Sequence, residues 1–445
     1  MTHQAMNTAA KTVLISGASI GGPALALWLH RYGFAPTVVE RAPELRTGGY
    51  KVDIRGTAIE VCRRMGVLDE IRAKSTDMRG GSYVDDAGRT IGELPADIFG
   101  GRVEEDDEIM RGDLARILYD RTRDDVEYLF DDSIAALEDG PEDTDGVTVT
   151  FESGTVRRFD LVVGADGLHS NTRRLVFGEE ERFKRHLGAY ISIFTAPNHL
   201  GLDRWETYHA IPEKLLCVYS ASGETDAKNL FIFSAPEDVP YDLRDVTDQK
   251  RLLADTFAGD GWEVPRLLGH AADADDFYLD SMALVEMDRW SRGRVVLLGD
   301  AAHCSSPASG QGTGLALTGA YVLAGELARA GGDHTVAFAR YEERMRPGVE
   351  QNQKMAEGFV KEMTVGSKWK IALRMLMVRT LPKTPWKNLI AKKIRDGIQA
   401  AANAVPIEDY AAPAAPTAAS TPTPPATPAT TPATGDGTPS PTVTA

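Results

Sequence analysis

Cysteine is scarce in this sequence, and its few copies lie far apart. Among 445 residues only Cys62, Cys217 and Cys304 are cysteines, and no two of them form a C-x-x-C pair. Disulfide scaffolds and Cys-rich zinc sites both need more cysteines at closer spacing. We therefore expect neither a disulfide framework nor a metal site, and a reducing compartment fits the composition.

Long hydrophobic runs and a positive net charge are also missing. No stretch reaches the roughly 18 apolar residues of a membrane-spanning helix, and residues 1–11 lack the apolar segment of a signal peptide. We therefore expect a cytoplasmic protein with no transmembrane segment. The formal net charge is −16, which repels phosphate backbones, so we expect no nucleic-acid partner.

Strand-like apolar runs alternate with helical periodicity over the first 340 residues, which predicts a mixed α/β fold of two or three domains. An apolar run at residues 12–16, a helical stretch at 23–32 and a second run at 37–39 form one βαβ unit. Between residues 187 and 233 the pattern changes to short β-rich pieces. These pieces predict an antiparallel sheet that forms a second domain inserted into the first.

The C-terminal part has two unusual segments. Residues 361–400 carry ten Lys and Arg against two acidic residues, and their apolar pattern fits two helices broken at Leu381-Pro382-Lys383. Such helices could lie on a membrane surface or pack on the acidic body, and we favour packing on the body. From Ala411 the chain is rich in Pro, Ala and Thr, which predicts a disordered tail over residues 406–445.

The turn of the first βαβ unit is rich in glycine. It reads Gly17-Ala18-Ser19-Ile20-Gly21-Gly22, a G-x-G-x-x-G pattern in which Ser19 replaces the middle glycine. Such a turn brings backbone close to a pyrophosphate and aims helix amides at it. Glu40 ends the next strand, where a carboxylate can accept hydrogen bonds from a ribose. Together these features predict a dinucleotide site.

Two further apolar strands end in short polar motifs. Residues 160–164 lead into Asp166-Gly167, and residues 294–298 lead into Gly299-Asp300, followed by Pro307 and Gly310-Gln311-Gly312. An aspartate at the end of such a strand can bind a ribityl hydroxyl. The helix that follows directs its positive end at a flavin ring, where negative charge accumulates on reduction.

At these three motifs the sequence resembles the class A flavoprotein monooxygenases of the para-hydroxybenzoate hydroxylase-like fold, and among them the tetracycline-inactivating and polyketide-tailoring hydroxylases. The resemblance spans roughly residues 11–360. It implies a Rossmann-like α/β FAD-binding domain with an inserted antiparallel substrate domain. The implied division is 11–82, 108–186 and 283–360 for the FAD-binding domain, 83–107 and 187–282 for the substrate domain, 361–405 for the C-terminal helices and 406–445 for the tail.

The resemblance also implies roles for individual residues in binding FAD. Gly17, Ser19 and Gly22 would line the pyrophosphate, and Glu40 with Arg41 would hold the adenosine ribose. The other implied contacts are Arg111, Asp166, Gly167, Asp300, Pro307, Gly310 and Gly312, with Arg46 and Asp53 as weaker candidates. NADPH or NADH would bind transiently near Arg46 and Asp166, because no second complete Gly-rich fingerprint is present.

The resemblance implies an NAD(P)H-consuming monooxygenase that uses molecular oxygen, through a flavin hydroperoxide, to hydroxylate an aromatic or polyketide-like small molecule. A flavin-dependent reductase or halogenase on the same fold, and a flavoprotein that only sequesters a drug, remain open. Halogenases of this superfamily carry a Trp-x-Trp-x-Ile-Pro segment. Residues 207–212 of this chain contain the Ile-Pro but neither tryptophan, which counts against a halogenase. Pro307 and His303 are the catalytic candidates, and a structural role is favoured for His303.

Seven aromatic side chains of the β-rich region could wall a substrate pocket or form ordinary sheet core, which is the more frequent role of such a pattern. They are Tyr190, Phe194, Trp205, Tyr208, His209, Phe231 and Phe233.

Overall fold

A computed structural model describes residues 11–46, 48–99, 101–139, 146–235, 239, 242 and 245–410. The strands are β1 (Thr12–Ser16), β2 (Ala35–Glu40), β3 (Lys51–Ile54), β4 (Gly80–Val84), β5 (Thr90–Pro95), β6 (Asp107–Met110), β7 (Glu127–Phe130), β8 (Ile134–Asp139), β9 (Val147–Phe151), β10 (Val156–Phe159), β11 (Leu161–Gly164), β12 (Lys184–Pro197), β13 (Trp205–Ile211), β14 (Lys214–Ser220), β15 (Asp226–Ser234), β16 (Tyr278–Val285), β17 (Ser291–Arg292) and β18 (Val295–Leu297).

The helices alternate with these strands in the first half of the chain and dominate its C-terminal part. They are α1 (Gly21–Arg31), α2 (Thr57–Met65), α3 (Leu68–Ala73), α4 (Ala96–Phe99), α5 (Arg111–Asp120), α6 (Asn171–Phe177), α7 (Val246–Thr256), α8 (Val264–Asp273), α9 (Asp300–His303), α10 (Gly312–Arg329), α11 (His334–Met363), α12 (Lys368–Thr380) and α13 (Lys387–Ala402).

The apolar runs that end in polar motifs lie side by side in one six-stranded sheet. Its order is β17-β18-β11-β1-β2-β7, and all neighbours are parallel except β17 and β18. Ser16 at the end of β1 pairs with Gly164 of β11 and Val39 of β2, and Gly164 pairs with Leu297 of β18. The residues after these four strands therefore meet at one edge of the sheet, where α/β proteins bind their ligands.

A seven-stranded sheet forms the second large layer. Its order is β16-β12-β15-β14-β13-β4-β5. The sequence predicts an antiparallel sheet from the pieces between residues 187 and 233, and β12, β13, β14 and β15 of that region do pair antiparallel. Strand β4, from an earlier part of the chain, joins them in parallel with β13. The two strands are far apart along the chain, so no hairpin connects them and fixes their relative direction. Helices α7 and α8 cover one face through a cluster that includes Phe231, Phe257 and Leu267.

Two smaller sheets complete the strand pairing. Strands β8, β9 and β10 form an antiparallel sheet, and β3 pairs with β6 as an antiparallel ribbon. Helix α10 is the central helix of the first layer, and nearly all its side chains from Gly314 to Leu327 are buried. A side chain at Gly319 would approach Leu298 to 3.0 Å, so small residues let α10 pack closely on the sheet.

The C-terminal helices pack on the body, as the favoured alternative predicts. They are separated by a turn at Leu381–Lys383. Val378 of α12 lies 3.0 Å from the position of a Cβ at Gly92, and Ile398 of α13 lies 2.8 Å from that of a Cβ at Gly101. In the described part of the chain, no helix has both the length and the apolar character needed to cross a membrane.

The first residues of the segment that the sequence assigns to the tail also pack on the body. The Tyr410 hydroxyl donates to Glu326 at 2.8 Å, and Glu408 pairs with Arg329 at 2.7 Å and Arg344 at 2.6 Å. Residues 406–410 therefore belong to the folded region. The rest of the predicted tail, residues 411–445, lies outside the described residues.

Candidate functional site

Two glycines make the first turn at the sheet edge possible. Gly17 has a φ of +108°, and a Cβ there would lie 2.5 Å from the Ala165 carbonyl oxygen. A Cβ at Gly22 would lie 1.9 Å from the Gly17 carbonyl oxygen. No side chain of the N-terminal cap bonds the first amides of α1, and its first turn holds no acidic residue. This helix end therefore suits an anionic ligand.

Glu40 connects the end of β2 to the same turn. One carboxylate oxygen accepts from the Ala18 amide at 2.8 Å, and the other accepts from the Ala42 amide at 3.0 Å. The guanidinium of Arg46 approaches Glu40 to 3.9 Å from the solvent side. Arg41 is exposed next to Glu40. Glu40 is thus held rigidly at the position where the sequence predicts a ribose.

Ser19, which replaces the usual glycine, has a clear partner. Its hydroxyl accepts a hydrogen bond from Arg111 at 2.6 Å, and Arg111 also donates to the Gly48 carbonyl oxygen at 3.3 Å. Burial and the nearby Arg46 lower the pKa of Arg111. The serine therefore anchors a partly buried cation beside the glycine-rich turn, where a phosphate would offset its unbalanced charge.

A small cavity opens between these elements. Its lining residues are Ala18, Ser19, Glu40, Leu45, Arg46, Arg111 and Ala115. The lining combines a carboxylate for hydroxyl groups, two arginines for phosphate and apolar surface for a planar ring. This donor set fits the adenosine monophosphate half of a dinucleotide.

Asp300 forms the second part of the site, in front of α10. Its side chain is accessible to solvent, yet the surrounding protein raises its pKa, and the carboxylate of Asp280 adds to that effect. An accessible but enclosed carboxylate lies in a cleft. A Cβ at Gly312 would be 3.7 Å from an Asp300 oxygen, and no cap side chain bonds the N-terminus of α10. Because Gly310 and Gly312 carry no side chains, the path of a ligand to Asp300 and to the N-terminus of α10 stays open.

The side chain of Asp166 is fully engaged within the protein. It accepts from the Thr172 amide at 2.9 Å and the Thr172 hydroxyl at 2.8 Å, and also from Ser170. These bonds fix the start of α6. Gly167 has a φ of +81°, and a Cβ there would meet no atom within 4 Å. A cofactor contact of this motif would therefore come from the backbone around Gly167.

Arg173 is a positioning residue that the sequence reasoning did not select. The buried guanidinium donates to the Ala301 carbonyl oxygen at 3.0 Å and to the Leu168 carbonyl oxygen at 2.6 Å. It also pairs with Glu180 at 3.2 Å. Arg173 thus joins the Asp166 motif to the Asp300 motif. The sequence signal that could have indicated Arg173 is its position in the polar start of the helix that follows Asp166.

The weaker candidates lie around the cleft. Asp53 accepts from Arg55 at 2.9 Å, and one of its oxygens lies 3.5 Å from the position of a Cβ at Gly310. Arg46 is largely exposed at the mouth of the cavity. Pro307 begins a short turn, Pro307–Ser309, directly before Gly310. All three therefore border the space between the two motifs.

His303 has the surroundings of a structural residue. Its ring packs against Trp290 with centroids 4.6 Å apart, and its Nε2 lies 3.4 Å from the Tyr341 hydroxyl. Burial lowers the pKa of His303 to about 4, so the ring is neutral near pH 7. These contacts support the structural role over proton transfer.

The face of the seven-stranded sheet opposite α7 and α8 looks toward the Pro307 turn. Ala308 packs in one apolar cluster with Ile191, Ile232 and Met282. Tyr208, on the same face, remains partly accessible, although the surrounding protein raises its pKa well above the usual range. The Pro307 turn thus packs on this face, and Tyr208 and Leu230 beside the contact remain partly accessible.

A buried charged cluster joins the β3–β6 ribbon to this face. Lys51 pairs with Glu108 at 2.9 Å and with Glu206, and Arg102 also pairs with Glu108. The Tyr208 hydroxyl donates to Glu206. Burial alone would lower the pKa of Lys51, but the two carboxylates raise it. Local sequence patterns cannot indicate this cluster, because its members are distant along the chain.

Six of the seven aromatic candidates lie on the other face of the sheet, and four of them are core residues there. Tyr190, Phe194, Phe231 and Phe233 form a core cluster with α7 and α8. Phe231 meets Phe257 edge-on with centroids 4.9 Å apart. These four are therefore core residues, which is the more frequent role of such a pattern. Trp205 donates to Ser82, and His209 lies against Trp262.

A second depression is present on the surface of the protein. This larger, open depression contains Arg329, Arg344 and Glu408, whose charges already pair with one another, and it lies along α10 and α11. Among the described residues, no three His, Cys, Asp or Glu side chains converge as metal ligands.

Comparison with known proteins decides the family. The chain matches the FAD binding domain family over residues 10–354. It belongs to this family. It is 49% identical over 345 residues to an uncharacterized protein of Mycobacterium tuberculosis (strain ATCC 25618 / H37Rv), covering 77% of this chain and 92% of that protein. It is 45% identical over 343 residues to a flavin-dependent monooxygenase of an unknown prokaryotic organism, covering 77% and 88%.

A solved structure gives the same answer. The tetracycline destructase Tet(51) is 37% identical and superposes with a TM-score of 0.78, covering 90% of this chain and 100% of that chain. The protein is an FAD-dependent monooxygenase, and FAD is its cofactor. The family and the fold class predicted from the sequence are therefore confirmed. The roles of individual residues in binding FAD stay predictions.

Proposed function

We propose that this FAD-dependent monooxygenase uses NADPH or NADH and molecular oxygen to add one oxygen atom to an aromatic or polyketide-like small molecule. The observation that carries this proposal is the apolar and aromatic sheet face on which the Pro307 turn packs, where Tyr208 and Leu230 remain partly accessible. The similarity to a tetracycline destructase supports a polycyclic substrate of this kind.

The proposed FAD position follows the edge of the parallel sheet. The Gly17–Gly22 turn and Arg111 would hold the pyrophosphate, Glu40 the adenosine ribose, and Asp300 the ribityl chain. The uncapped N-terminus of α10 would stabilise the negative charge that a flavin ring gains on reduction. When bound and reduced, the flavin supplies the activated oxygen.

The substrate would occupy the other side of the Pro307 turn. We assign residues 11–82, 108–186 and 283–360 to cofactor binding, and residues 83–107 and 187–282 to the substrate domain. Apolar residues such as Ile191, Leu230 and Met282 on the sheet face exclude water, which protects reactive oxygen chemistry from side reactions. The cluster of Lys51, Glu108 and Glu206 holds the ribbon against the sheet and so fixes the width of this space.

NAD(P)H would bind transiently at the open side of the flavin. Arg46 is largely exposed at the mouth of the cavity, so its guanidinium is available to a nucleotide phosphate. Reduction and oxygen transfer would then take turns at one flavin. This order follows from the absence of a second complete Gly-rich fingerprint in the sequence.

A screen of phenolic and tetracyclic compounds for stimulated NADPH oxidation tests the proposal. The FAD-loaded protein should oxidise NADPH slowly alone and faster with a true substrate. The Arg46→Gln variant should raise the KM for NADPH more than it lowers kcat. Arg289→Gln, at an exposed arginine with no assigned role, is the control for general loss of positive charge. Tight binding of a compound with no NADPH oxidation would instead indicate sequestration.

A further inference from the structure

The outer face of helix α12 is apolar and open to solvent. Trp369, Leu373, Leu376 and Met377 follow one another at helical spacing and are 66%, 47%, 55% and 54% exposed. We call these four residues the α12 stripe. Helices of globular proteins usually turn such a stripe toward the core. A contiguous exposed apolar patch of this kind marks an interaction surface.

The stripe is not needed for the packing of α12 on its own protein. The opposite side of the helix carries the buried residues Met375 and Val378. Val378 contacts the backbone of β5 at Gly92, as described above. The helix thus has one apolar side that is already covered and a second one that faces outward. The outward side requires a partner of its own.

Positive charges surround the stripe. Residues 361–400 hold ten Lys and Arg and two acidic residues, in a chain whose overall charge is −16. Arg374 pairs with Glu362, and Lys392 pairs with Asp396. Within the described residues, no carboxylate pairs with the exposed side chains of Lys368, Lys370, Arg379, Lys383, Lys387 and Lys393. These charges remain available to an anionic partner.

Helix α13 repeats the pattern at its beginning. Trp386 directly precedes it and Leu389 lies in its first turn, with exposed fractions of 59% and 69%. Lys387 stands between them. Tryptophan beside lysine is typical of protein segments at the boundary between lipid headgroups and acyl chains. Of the six tryptophans in the chain, only Trp369 and Trp386 belong to this exposed basic segment.

We infer that the α12 stripe and the start of α13 bind the surface of a membrane that contains anionic lipids. The apolar side chains enter the interfacial region, and the unpaired lysines attract the negative headgroups. The acidic remainder of the chain is repelled by the same surface, which orients the protein with this side down. No described helix can cross a membrane, so the helices lie on the surface.

Vesicle flotation of the full-length, FAD-loaded protein tests this inference. Vesicles of phosphatidylcholine with phosphatidylglycerol should carry the protein upward, and vesicles of phosphatidylcholine alone should carry much less. High salt should weaken binding. The Lys368→Gln/Lys370→Gln variant should lower the partition coefficient by about fivefold per charge. Lys354→Gln, at an exposed lysine of α11, is the matched control and should bind like the unchanged protein.

The apolar contribution has its own variant pair. Trp369→Ser/Leu376→Ser should abolish flotation without lowering the melting temperature, because both side chains are exposed. Val156→Ser/Val336→Ser, at exposed valines on β10 and α11, should leave flotation unchanged. Equal flotation of the two variants would overturn the inference.

Tryptophan quenching distinguishes a membrane from a second copy of the chain. Brominated lipids in the anionic vesicles should quench part of the fluorescence, and Trp369→Phe/Trp386→Phe should remove that quenching. Trp28 and Trp290 are buried and would not respond. A stable dimer in sedimentation that is lost in Trp369→Ser/Leu376→Ser, without vesicle binding, would show that a second copy covers the stripe and would overturn the inference.

Discussion

Replacing Asp300 by asparagine should separate cofactor binding from folding. The Asp300 carboxylate is accessible, but the surrounding protein and Asp280 raise its pKa, so its charge is poorly compensated in the protein alone. In the proposed site a ribityl hydroxyl donates to this carboxylate. Asparagine has nearly the same shape and removes the charge. The apoprotein of Asp300→Asn should therefore be as stable as the original, or more stable.

The size of the binding effect follows from the kind of interaction that is lost. Asparagine keeps an acceptor oxygen, so the loss is the difference between a charged and a neutral acceptor. That difference is about 1–1.5 kcal/mol, so the Kd for FAD should rise about 5- to 12-fold. Quenching of FAD fluorescence on titration into the apoprotein measures this Kd. Thermal unfolding of the apoprotein measures stability in the same samples.

Asp166→Asn is the matched control, since Asp166 lies at the same sheet edge but its oxygens bond the start of α6. This variant should lower the melting temperature of the apoprotein slightly, because its amide nitrogen cannot accept from Ser170 while its oxygen still accepts from Thr172. Its side chain is not assigned to FAD. An unchanged Kd in Asp300→Asn, or a larger rise of Kd in Asp166→Asn, would refute the proposed position of the ribityl chain.

Three further perturbations have distinct outcomes. Gly22→Ala should abolish FAD binding, because its Cβ would lie 1.9 Å from the Gly17 carbonyl oxygen, whereas Gly21→Ala, whose nearest contact is 3.6 Å, should retain yellow protein. Because burial lowers the pKa of His303 to about 4, unfolding free energy should fall as pH drops from about 6.5 toward 4, and His303→Leu should flatten that slope in thermal scans. Deleting residues 411–445 should leave melting temperature and FAD content unchanged, since this segment has little apolar surface to bury; a loss of several degrees would contradict that expectation.

Much of the fold could be predicted because its signals are local. The first βαβ unit, the Asp166 and Asp300 motifs and the break between the C-terminal helices are each contained in short stretches of sequence. The parallel pairing of β13 with β4 could not be predicted in this way. It joins strands from different parts of the chain, and nothing in either strand specifies the direction of the other.

The same distinction applies to the site. Glycine spacing and strand-end acids are local signals, so they suffice to predict the turn, Glu40 and Asp300 as cofactor contacts. The partner of Ser19 is 92 residues away, and the cluster of Lys51, Glu108 and Glu206 spans 155 residues. Such contacts depend on tertiary packing. The role of the Asp166 side chain could not be predicted from the sequence either, because an aspartate in this motif can bind either a ligand or the start of the helix that follows it.

Isotope labelling of the product tests the central claim most directly. The FAD-loaded protein, NADPH and a compound that stimulates NADPH oxidation are incubated under ¹⁸O₂, and the product is analysed by mass spectrometry. The account predicts a product that gains one oxygen atom derived from molecular oxygen, with no label when ¹⁸O is supplied only in water. A hydrogenated product formed equally well without oxygen would contradict the account and indicate a reductase.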